Sequence, residues 1–124
     1  MTVRYVLDEN LRGILWRTLQ RDAGPAVPWP IDVTCVGERP DLPLGTIDPD
    51  LLEWAYRNDR VLVTRDQRSM PVHFADRLAM GKHSAGVFVI RKKAGLVEVM
   101  DFLMAAAHAS EAEEWRDRIV DIPQ

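Results

Sequence analysis

Apolar positions along the chain follow two alternating patterns. Short continuous runs, at residues 3–7 (VRYVL), 31–36 (IDVTCV), 60–64 (RVLVT) and 85–90 (AGVFVI), are rich in β-branched and aromatic side chains and predict buried strands. Between them apolar residues recur every three or four positions. Leu11, Ile14, Leu15 and Leu19 predict a helix to about Arg21, with Arg12, Arg17 and Arg21 facing water. Asp48-Pro49 reads as the N-cap and first residue of a short helix that buries Leu51, Leu52, Ala55 and Tyr56 and stops near Asn58. Ser69 is expected to cap a third helix with Val72, Ala75, Leu78 and Ala79 on its inner face, closed by Gly81. A fourth covers about residues 95–107, its stripe formed by Val99, Met100, Leu103, Met104 and Ala107. Ser110 and Glu113 suggest a capping box, and residues 118–122 a final edge strand. The prolines at 25, 28 and 30 deny backbone donors and mark a loop, as does the stretch 37–46.

Continuous apolar strands alternating with amphipathic helices require a sheet covered on both faces, since neither side of such strands meets water. The expectation is an α/β chain, a three-layer α/β/α sandwich around a mainly parallel sheet. The 124 residues, 47% of them apolar, fit one domain over residues 1–124. Cys35 is the single cysteine, so no internal disulfide forms. Neither a leader nor a membrane span is expected, which points to a reducing, cytoplasmic setting.

Charge is unevenly spread. The net −3 conceals a segment, residues 57–93, with nine Lys and Arg against three Asp, 9 − 3 = +6, which leaves −9 for the rest. Such a band either is a solvated surface or attracts a phosphate backbone.

In parallel sheets ligands bind beyond the carboxyl ends of the strands. Asp8 and Glu9 follow the first predicted strand, Asp66 the third, and Asp48 opens the helix before the third. If the first and third strands are neighbours, these acids meet at one edge. Grouped carboxylates repel unless a cation neutralises them, and an all-oxygen set suits Mg²⁺ or Mn²⁺. Ions of that kind support phosphodiester hydrolysis by water. Each acid also has an ordinary reading: N-cap for Asp48, turn former for Asp66, exposed or auxiliary acid for Glu9.

The order Tyr5-Val-Leu-Asp-Glu-Asn10, Asp48-Pro-Asp-Leu-Leu-Glu-Trp-Ala55, Arg60-Val-Leu-Val-Thr-Arg-Asp66 and Gly86-Val-Phe-Val-Ile-Arg91 resembles a PIN-like domain. More closely, it is similar to the small stand-alone PIN-like proteins of the DUF5615 group, toxin-like partners in bacterial toxin–antitoxin pairs. The resemblance implies a metal-dependent endoribonuclease with Asp8, Asp48 and Asp66 as metal ligands for Mg²⁺ or Mn²⁺, to which the reading of the residues adds Glu9 as an auxiliary acid. It further implies RNA as substrate, an antitoxin protein as partner, and a homodimer. The family often places a further Asp two residues after the T-x-D acid with an aromatic beside it; here Arg68 and Ser69 stand there. That departure weakens a second metal site, and the usual helix acid is not evident, although Glu38 and Asp41 lie where a substitute could arise. A PIN-like module without catalysis is therefore the alternative. A phospho-acceptor receiver domain shares the acid after the first strand but fits less well, because receivers want a second acid just before or beside that Asp and a strand-ending Lys, and Asp66 here follows a Thr.

Arg65 and Arg68 flank Asp66, while Arg91, Lys92 and Lys93 follow the fourth strand, so all five are candidate RNA contacts. Trp16 and Trp54 are expected to pack within helices, and Trp29 is the tryptophan most free for a base or a partner. His73, His83 and His108 lack metal-ligand spacing and read as structural or surface residues, and Cys35 as a small buried hydrophobe.

Overall fold

The computed structural model describes residues 2–22 and 31–124; Trp29 and the proline loop lie outside the described residues. Strands β1 (Tyr5–Leu7), β2 (Val33–Cys35), β3 (Val61–Thr64), β4 (Val87–Ile90) and β5 (Ile119–Ile122) form one sheet in the order β2-β1-β3-β4-β5. Every pairing is parallel, with Leu7 beside both Cys35 and Val63, and Ile90 beside Ile122. Helices α1 (Ile14–Asp22), α2 (Asp48–Arg57), α3 (Ser69–Ala79) and α4 (Leu96–Ala109) cover it.

Side chains alternate across a strand, so a sheet buried on both faces needs two cores. Tyr5, Leu7, Val63, Phe88 and Ile90 meet Leu15, Leu19, Val99 and Leu103 of α1 and α4. Val6, Leu62, Val87 and Val89 meet Leu51, Leu52, Met70 and Phe74 of α2 and α3. The three-layer α/β/α sandwich is thus the observed fold. Phe88 anchors the first core, with Trp115 edge-on at a centroid distance of 4.9 Å. Gly86 lets that chain crossing close: at its φ of 117° a Cβ would fall 2.6 Å from the Trp115 carbonyl oxygen.

The elements follow the pattern in the sequence, but three faces differ. A 3-10 turn (Glu9–Leu11) and Gly13 precede α1 and reset its phase, so Ile14 is 58% exposed and Trp16 is buried with Leu15 and Leu19. In α3 the larger apolar side chains decide the face: Met70 and Phe74 turn inward with Arg77, while Val72 is exposed. Ser110 forms no capping box. It donates to the Ala106 carbonyl, ends α4 and accepts from Trp115 Nε1 at 2.8 Å, and a second 3-10 turn (Ala112–Trp115) follows. Among the described residues no helix is long and apolar enough to cross a membrane.

Candidate functional site

The chain leaves β1 for β2 on one side, then returns past β1 to β3 on the other. Strand order therefore switches direction between β1 and β3, the point beyond whose carboxyl ends ligands bind in open parallel sheets. Asp8 and Asp66 stand there.

Asp8 is the first residue past β1 and is largely buried; its Oδ1 accepts from the Glu9 backbone N–H at 2.7 Å. Its Oδ2 accepts from the Thr64 hydroxyl at 2.7 Å. Thr64, fully buried at the end of β3, is a hub: its Oγ1 also accepts from the Asp66 N–H at 3.1 Å and, more weakly, from Asn10 Nδ2 at 3.4 Å. Burial above all, then the charges of Asp66 and Glu9, raise the Asp8 carboxyl above the ordinary carboxylate range, against the lowering effect of the Thr64 and Glu9 hydrogen bonds.

Asp66 is held differently. Oδ1 accepts from the backbone N–H groups of Arg68 at 3.0 Å and Ser69 at 2.9 Å, and Oδ2 accepts from the Ser69 hydroxyl. It anchors the start of α3, the role expected of Ser69, and those bonds, the Ser69 hydroxyl first, lower its pKa.

Asp48 is not an N-cap. Ile47 takes that position and Asp48 is the first residue of α2, so its carboxylate makes no capping bond. Burial and the charges of Asp8 and Asp66 raise its pKa, opposed by His73. His73, from the second turn of α3, brings Nε2 to 3.9 Å from Asp48 Oδ2. The charge of Asp66 thus reaches Asp8, and the charges of both reach Asp48.

Glu9 turns away from them: Oε1 accepts from the Gly45 N–H at 2.7 Å and ties the loop leading into α2. Glu38 pairs with Arg12 at 2.9 Å and Asp41 accepts from Trp54 Nε1 at 2.9 Å, so both are engaged in holding that loop. On the opposite flank Arg65, Arg68 and Lys92 line a cleft of about 400 Å³ together with Asp66 and Gln67. The ion pairs of the described residues engage none of these three cations. Arg91 and Lys93 are exposed nearby, and Arg91 Nε donates to the Pro123 carbonyl at 2.9 Å.

The three carboxylates share this edge with the Thr64 hydroxyl and the His73 imidazole, a donor set rich in oxygen that suits a hard cation. Of the described residues the Asp48 carboxylate meets only His73, at 3.9 Å on Oδ2, and Asp8 uses one acceptor site on each oxygen, whereas Asp66 already accepts three bonds. Among the described residues no three His, Cys, Asp or Glu side chains close into a ligand cage. The set fits an ion that keeps several of its own waters, as Mg²⁺ does, held chiefly by Asp8 and Asp48.

In comparisons with known proteins, no family model, curated protein or solved structure matches the chain.

Sequence reasoning missed Thr64 and His73. The Thr of T-x-D carried a signal, because a hydroxyl ending a buried strand needs a partner. His73 carried none, since only the packing of α2 against α3 brings it to Asp48. Cys35 is buried as expected, its thiol pushed up to about 11 chiefly by that burial. Trp16 and Trp54 are buried as well.

Proposed function

We propose that this chain is a PIN-like, metal-dependent endoribonuclease that hydrolyses RNA phosphodiester bonds at the Asp8, Asp48 and Asp66 edge, and that it serves as the toxin of a toxin–antitoxin pair. The observation that carries the reading is that three aspartates from separate elements stand at the topological switch point, where the charges of Asp8 and Asp66 both act on Asp48 and Asp48 is free of any capping duty. Mg²⁺ or Mn²⁺, when bound, supplies polarisation of a phosphoryl oxygen and acidification of a water. Thr64 fixes the carboxylate plane of Asp8, and the α3 backbone fixes Asp66. Arg65, Arg68 and Lys92 offset the charge of the phosphate.

A second reading, a PIN-like binding module without catalysis, is favoured by one observation: the Asp66 oxygens are committed to the start of α3. Metal-dependent turnover separates the two. Purified protein is incubated with RNA containing single-stranded and structured regions in Mg²⁺, Mn²⁺ or EDTA, beside Asp48→Asn. Cleavage that needs metal and falls at least a hundredfold in the variant is the expected result. Equal inactivity of both proteins, with no Mn²⁺ binding by calorimetry, overturns the nuclease reading.

A further inference from the structure

The cleft beside Asp66 does not end at Lys92. A second cleft, about 610 Å³, shares Gln67 and Lys92 with it and runs from the end of β4 along β5 beside the start of α3. The joined trough has a distinct chemistry along its length. Arg65, Arg68, Lys92 and Arg91 supply cations, while the half-buried Pro71 and Ile119, over buried Val89, give it an apolar floor. Gln67 is fixed at the junction by donating to the Ile90 carbonyl at 3.0 Å, and Asp121 closes the far end.

The other flank of the aspartates is of opposite character. The loop before α2 and the outer side of α2 enclose a cleft of about 520 Å³ in which Arg57 pairs with Glu53, leaving Asp41 and Asp50 in excess, and in which Leu44 and Ile47 are each 60% exposed. A polyanion is repelled there and attracted on the β4–β5 side. Strand-tracking sites combine a cationic wall with a surface on which a base lies.

We propose that this trough is a one-sided track for single-stranded RNA, in which the nucleotides on one side of the scissile phosphate are gripped from Asp66 to β5 and those on the other side are not. The inference rests on the nuclease reading of the aspartates. Its consequences are specific. The cations form one row, which serves one phosphate chain, and the acidic flank opposes a second, so a duplex loses against a single strand. A substrate needs nucleotides on one side of the cut and tolerates a cut close to its end on the other.

The test uses a fluorescent single-stranded hexanucleotide, the matching duplex, and fluorescence anisotropy in EDTA, so that binding is read without turnover. Lys92→Glu probes the residue common to both clefts, Ile119→Ala the apolar floor, Arg17→Glu on α1 the effect of net charge alone, and Leu44→Ala the acidic flank. The expected result is a loss of tenfold or more for Lys92→Glu, with the slope of log K against log salt reduced by about one. Ile119→Ala should lose about threefold, Arg17→Glu and Leu44→Ala less than twofold, and the duplex should bind at least tenfold more weakly. Equal losses for Lys92→Glu and Arg17→Glu, or equal affinity for duplex and single strand, overturn the track while leaving metal-dependent cleavage standing. Absence of both RNA binding and cleavage by the wild-type protein overturns the nuclease reading itself and the track with it.

Discussion

Replacing Thr64 by Val removes one hydroxyl from a fully buried position at nearly constant volume, and the hydrogen bonds it makes allow the cost to be worked out. The bond to ionised Asp8 is charge-assisted and contributes about 1.5–3 kcal/mol, and an Asp66 N–H left without an acceptor costs about 1 kcal/mol more at its half-buried site. The expected destabilisation near neutral pH is therefore about 3 kcal/mol, or a fall in Tm of about 12 °C for a chain of this size. The pH dependence has a definite sign. Burial raises the folded pKa of Asp8, so its ionisation costs stability as pH rises through that value, and the Thr64 bond offsets part of the cost. Without the hydroxyl the pKa rises further, and the penalty steepens toward neutral pH. Below the raised folded pKa, where Asp8 is protonated, the bond is an ordinary neutral one contributing about 0.5–1.5 kcal/mol. Urea unfolding followed by tryptophan fluorescence at acid and neutral pH measures both quantities, with Thr64→Ser as the rescue. A destabilisation that is the same at the two pH values, or below about 1 kcal/mol throughout, would refute a charged Asp8 held by Thr64.

Other expectations follow from the same geometry. Asp48→Asn should stabilise the fold at neutral pH, because the folded pKa of Asp48 is raised and its charge costs stability above that pKa; thermal melts should show the gain fading on acidification. Asp66→Ala should do the reverse, losing about 1–2 kcal/mol as α3 loses its anchor, a loss that shrinks as pH falls through the depressed folded pKa of Asp66. Gly86→Ala should cost more than about 2 kcal/mol in chemical denaturation, since its positive φ and the Trp115 carbonyl both resist a Cβ. Mn²⁺ at about a hundred times its Kd should raise the wild-type unfolding free energy by about 2.7 kcal/mol, and Asp8→Asn should abolish the shift.

Much of this architecture was legible because strands buried on both faces leave a simple signature. Four of the five strands came from runs such as AGVFVI, in which every side chain must be apolar whichever way it points. Helix faces were less legible. In α3 both Val72–Ala75–Ala79 and Met70–Phe74 have helical spacing, and the greater apolar area of the larger pair, packed on the sheet, decided between them. At the site, Asp8 and Asp66 could be named because charged residues directly after buried strands are poor packing elements. Their separate environments could not be. Nothing local distinguishes an aspartate whose oxygens end up on a helix backbone from one sealed against a threonine 56 positions away in sequence.

The sequence by itself determined that this chain forms a covered parallel sheet, because alternating periods of apolar residues admit few other ways to bury them, and it placed carboxylates at the strand ends. Tertiary structure alone decided the rest: that β1 and β3 are neighbours, that Ile47 rather than Asp48 caps α2, that Glu9 bonds to Gly45, and that cations and acids part to opposite flanks. The physical reason is that hydrophobic periodicity is a local property of a chain, whereas hydrogen-bond partners and electrostatic fields are set by groups far apart in sequence that meet only when the sheet has formed.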